Sequence, residues 1–198
     1  MPASRQNHSA SRKTGKGESG QAVMEFALGI LPIVLFLLFG MIDFSRAIYQ
    51  QQVITGLTRS GSSMAARGTS YPDVAGVAGV FTILTQGTLP LNLGTYGKII
   101  GTAVTNTGTA GTPSYQVTAQ NYTGSCTGCS STTSVVAPGG VGSTPQLPAM
   151  PPSGAAFPQP GQTTYVTEIF YAYQPLTPIG RLIVGLLLPA QSYDVAYI

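Results

Sequence analysis

Charge is scarce in this sequence: Asp, Glu, Lys and Arg make up 8% of its 198 residues, against roughly a quarter in an ordinary soluble domain. Tryptophan is missing altogether, histidine occurs once, as His8, and cysteine twice, as Cys126 and Cys129. Each scarcity removes a class of function. One histidine and one cysteine pair fall short of the roughly four ligands a zinc site needs, so no metal is expected. Hydrolytic chemistry needs a nucleophile with a base, or a paired acid and base. Beyond residue 46 the carboxylates are only Asp73, Glu168 and Asp194, scattered along the chain. The expectation is therefore no enzyme, no catalytic residue and no cofactor, although a membrane-anchored enzyme with a two-carboxylate site is the third reading in rank. The Cys126-Thr-Gly-Cys129 run lies in a Ser/Thr/Gly-rich stretch without the βαβ pattern of a redox centre. Outside the cytoplasm a small-loop disulfide suits it better.

The few charges are unevenly placed. Arg5, Arg12, Lys13 and Lys16 outnumber Glu18 before Gly20. From Gln21 onward Arg46, Arg59, Arg67, Lys98 and Arg181 balance Glu25, Asp43, Asp73, Glu168 and Asp194, so the formal net charge of +3 resides wholly in the first segment. No basic stripe remains to track a phosphate backbone, and nucleic-acid binding is rejected.

What the sequence does have is one long apolar run, Ala22 to Ile42, in which Glu25 is the only charge. A helix of about 21 residues reaches roughly 30 Å, the thickness of a bilayer core. Pro32 inside it predicts a bend, which membrane helices tolerate better than soluble ones. The basic residues precede the run, so the N-terminus is expected in the cytoplasm and the rest across the membrane. A secretory signal would have a shorter apolar core and a small-x-small cleavage site. Here the run ends in Met41-Ile42-Asp43-Phe44-Ser45-Arg46 instead. Asp43 and Arg46, three apart on a helix, are expected to pair at the membrane exit, both in reach of water.

The string Gly20-Gln21-Ala22-Val23-Met24-Glu25-Phe26 puts a glycine at the end of a charged leader and a lone glutamate in the first turns of the apolar helix. An ionisable residue inside a membrane segment is costly and functional by default. This string resembles the type IV prepilin cleavage motif. Together with Gly40 to Arg46, and more weakly Tyr165 to Pro178, it resembles the TadE-like minor pilins (pseudopilins) of the tight-adherence pilus. The resemblance implies cleavage between Gly20 and Gln21 by a prepilin peptidase, and a registration role for Glu25 with Phe26, where Glu25 offsets the new α-amine of Gln21 on its own chain or a neighbour's. It also implies further partners: other major and minor pilins, an inner-membrane assembly platform and an assembly ATPase. A bacterial inner-membrane location follows, single-pass, with incorporation in the pilus as a further stage. A pseudopilin of a secretion system is the runner-up.

The expected fold is an α+β membrane protein, pilin-like. Residues 1–20 form a cytoplasmic leader, 21–42 the transmembrane helix and 43–68 its exterior extension, with a stop at Gly68. Such a helix is on the order of 70 Å long. Residues 69–198 form an extracytoplasmic β-rich domain, with a Gly/Thr/Pro-rich low-complexity loop at about 105–162. Strands are predicted at Lys98–Val104, Ser114–Tyr122, Ser134–Ala137 and Thr163–Tyr173, and a short helix near Val74–Thr85. The apolar Leu182–Leu188 is too short to span a bilayer. It is left to lie on the membrane, cover the sheet or meet a partner.

Overall fold

The computed structural model describes residues 18–72, 78–86, 91–109, 112–146, 158–184 and 189–198. Most of the expected leader, the start of the helix predicted near Val74, and residues 185–188 of the apolar C-terminal stretch lie outside these.

One helix of 49 residues, α1 (Glu18–Ala66), runs through Pro32 without interruption. It ends because Gly68 takes a φ of +92°, the left-handed conformation that costs glycine little. Gly68 N then donates to Ala65 O (3.0 Å) and Thr69 N to Met64 O (3.1 Å), the paired bonds of a Schellman stop. α1 has two unlike halves. From Gly20 to Leu38 every side chain is exposed, including Val23, Phe26, Leu31 and Leu37. From Asp43 onward one face turns inward: Asp43, Gln50, Ile54, Thr58, Ser62 and Ala65 are buried, at the spacing of a single helix side.

That side carries a four-stranded antiparallel sheet. The strands are β1 (Gly97–Asn106), β2 (Tyr115–Thr123), β3 (Thr163–Ala172) and β4 (Gln191–Tyr197), in the order β2-β1-β3-β4. β3 pairs with both neighbours, Ile169 lying opposite Ile99 of β1 and Asp194 of β4. Its composition explains its central place, since Val, Ile, Thr and aromatic side chains suit a strand packed on both faces. Ile99, Ile169 and Tyr171 face α1, joined by Ile54, Tyr71 and the short helices α2 (Val80–Gln86) and α3 (Leu93–Tyr96). The alternate residues Val104, Val117, Val166, Ile100, Phe170 and Ala172 face away, where the segment after β2 covers them with Cys126, Val136 and Ala137. The grip on α1 is polar as well as apolar. Ser62 Oγ donates to Ala196 O (2.8 Å) and accepts from Thr167 N (3.1 Å). Thr58 Oγ1 donates to Asp194 Oδ2.

One strand expectation is corrected. Ser134–Ala137 is not a strand but a bend. Its β-branched, apolar character reflects burial of Val136 and Ala137 against the sheet, and its backbone N–H groups point at a carboxylate instead of a neighbouring strand. β4 was not foreseen. The short helix α4 (Pro178–Ile183), unforeseen too, is capped by Thr177, whose hydroxyl accepts from Gly180 N (3.0 Å).

Candidate functional site

The first turns of α1 carry the residues singled out from the sequence. Gly20, Gln21, Glu25 and Phe26 are all exposed, Phe26 at 69%. Gln21 Nε2 donates to Glu25 Oε1 at 3.0 Å, a contact between residues one helical turn apart. Glu25 thus reaches back to residue 21 within its own chain. No part of the sheet domain touches this stretch among the described residues, and α1 from Gly20 is long and apolar enough to cross a membrane.

The second constellation sits where the bare half of α1 ends. Asp43 is fully buried. Its Oδ1 accepts from Leu176 N (2.9 Å) and Thr177 N (3.4 Å), and its Oδ2 accepts from the Thr177 hydroxyl. Its own carbonyl accepts from the Tyr173 hydroxyl at 2.8 Å. The ion pair expected between Asp43 and Arg46 is therefore corrected. Asp43 points into the protein, and both oxygens are taken by the chain between β3 and α4. The physical reason is that buried backbone N–H groups must be bonded, and a carboxylate satisfies several of them strongly. Arg46 is half-buried and acts electrostatically on Tyr171 and Tyr173. Burial, and then the Asp43 charge, pushes the Tyr173 phenol up to about 12. The clamp needs a glycine at 180, because a Cβ there would strike Asp43 Oδ2.

A third node was missed in the sequence, where Glu168 is only the lone charge of β3. It is fully buried. Its Oε1 accepts from Val135 N (2.8 Å), Val136 N (3.3 Å) and the Tyr193 hydroxyl (2.9 Å), and its Oε2 accepts from Ser134 Oγ. The available signal was that lone glutamate in an apolar central strand, since a buried charge must find partners. Tyr193 is raised by burial and by the Glu168 charge. The two buried carboxylates, Asp43 and Glu168, are thus each saturated by donors that tie a loop to the frame. A disulfide joins Cys126 and Cys129, whose Cα atoms are 5.5 Å apart. Cys126 packs on Ile100, Phe170 and Ala172.

A single long helix, bare and apolar at one end and the spine of a four-stranded antiparallel sheet at the other, defines a helix-anchored α+β architecture. The model of the TadE-like protein family matches residues 20–63 of the chain. The matched stretch opens at Gly20, includes Glu25, Asp43 and Arg46, and stops short of the sheet. No curated protein and no solved structure matches the chain.

Proposed function

We propose that this protein is a minor pilin (pseudopilin) of a tight-adherence pilus, cut by a prepilin peptidase between Gly20 and Gln21 and contributing to pilus assembly and surface adhesion. The TadE-like match suggests a Tad pilus-associated component. The observation that carries the reading further is the division of α1. Its apolar half presents side chains on every side, as a helix does that sits in lipid and then packs among other helices, while its other half holds a domain.

In this reading the bare half spans the bacterial inner membrane with the leader in the cytoplasm, and the sheet domain stands outside it. Glu25 already reaches residue 21. After cleavage the same reach brings its carboxylate to the α-amine of Gln21, whose positive charge offsets the cost of a carboxylate in hydrocarbon. A neighbouring subunit's amine does the same, and that fixes the axial register. The partners are the peptidase, the other major and minor pilins, the assembly platform and the assembly ATPase.

The test is the N-terminal sequence and intact mass of the protein from cells with and without the peptidase, beside Gly20→Ala. A Cβ at Gly20 meets nothing within 4 Å, so that substitution leaves the packing intact. A new N-terminus at Gln21, lost without the peptidase and in Gly20→Ala, is expected. An uncut chain in peptidase-competent cells refutes the pilin reading.

A further inference from the structure

We propose that α4 is an interfacial anchor, its outward face resting in the surface of the membrane that α1 crosses. The inference rests on the reading of the bare half of α1 as the membrane span. Asp43 closes that half, and its carboxylate and carbonyl hold Leu176, Thr177 and Tyr173 by direct hydrogen bonds. The chain leading into α4 is therefore fixed at the level where the apolar run stops. α4 has two faces. Thr177 and Gly180 are buried against α1, while Pro178, Arg181 and Leu182 point outward.

That outward face carries the wrong chemistry for water. Leu182 is 77% exposed and Leu176 just before it 65%. Met41 and Phe44, on either side of Asp43 in α1, are exposed too, so the bare leucines continue the apolar exposure at the level where the span ends. Residues 174–184 include no acidic side chain, and Arg181 is the one charge among them. Its stem can lie along apolar surface while its guanidinium reaches headgroup phosphates. Exposed leucines flanked by a cation, at the foot of a membrane helix, match an interfacial segment. Lipid is the occupant that this continuity and charge select, over a second copy of the chain.

The natural sequence has no tryptophan, so a single introduced one reports its own surroundings. The full-length chain is reconstituted in phosphatidylcholine/phosphatidylglycerol vesicles, with and without bromine in the acyl chains, as Leu182→Trp and separately as Leu176→Trp. Leu37→Trp, in the span, and Val141→Trp serve as references; both side chains are exposed. Gly142, next in the chain to Val141, donates to Val117 O, at the end of the sheet away from Asp43. The expected result is blue-shifted emission, largely lost in brominated vesicles, for Leu37→Trp, Leu182→Trp and Leu176→Trp, with Val141→Trp unaffected. If Leu37→Trp is quenched while Leu176→Trp and Leu182→Trp both emit as in water, the inference is overturned and the span reading stands. A blue shift without quenching at both of these positions means that protein covers them, and also overturns it. An unquenched Leu37→Trp removes the span and the inference together. Because two positions, one in α4 and one just before it, are read, misfolding of one variant leaves the other to decide.

Discussion

Asp43→Ala strips Leu176 N, Thr177 N and the Thr177 hydroxyl of their shared acceptor inside the protein. Leaving donors unpaired inside the protein, all of them previously bonded to the carboxylate, costs on the order of 3 kcal/mol. The expected outcome is a loss of that size in urea unfolding of the detergent-solubilised protein, with amide exchange rising first at residues 174–180. An unchanged exchange pattern there would mean that the clamp is not what holds α4. At this scale the sequence was informative about identity and silent about direction. Spacing put Asp43 and Arg46 on one side of a helix, which is true of any i, i+3 pair. It could not say that this side is the one the domain covers, because that is decided by residues more than a hundred positions later. Glu168 was hidden for the same reason: its donors come from a loop and from β4.

Among the elements, β3 is the strand on which the rest depends, paired on both edges and packed on both faces. Tyrosines gather around it. The Tyr71 hydroxyl donates to Val166 O (2.9 Å), and burial pushes its phenol up to about 12, from an ordinary value of 10.0. Tyr173 is raised to about 12 as well. A phenol raised in the folded state binds its proton more tightly there than in the unfolded chain. Its contribution is therefore intact below pH 10 and is lost as pH climbs through 10 toward 12. The melting temperature should fall steeply across that window, and Tyr71→Phe should make the fall shallower whatever it does at neutral pH. A melting temperature flat to about pH 12 would contradict the assignment. α1, β1, β2 and β3 were legible because each carries a long apolar or β-branched signal. β4 was not. Gln191-Ser192-Tyr193-Asp194 is short and polar at its start, and Asp194 is acceptable in a strand only because Thr58 of α1 receives it. Ser134–Ala137 misled because burial of a loop and burial of a strand select the same side chains.

Taken whole, the molecule keeps its core on one side of residue 43. None of the residues from Gly20 to Leu38 is buried, whereas Ile54, Thr58, Ser62 and Ala65 are within the domain. A fragment beginning at Asp43 should therefore fold in water with the same sheet, its melting temperature within a few degrees of the full chain's in detergent. Calorimetry and circular dichroism of the two decide this, and a molten fragment would show that the bare half supports the fold. The order in which the chain is made adds a constraint of another kind. The spine emerges from the ribosome first, but β3, α4 and β4, which hold it, emerge last. Contacts across such separations close slowly. Until they close, the buried face of α1 has nothing to cover it, so a nascent chain stalled before β3 offers chaperones and proteases a bare helix.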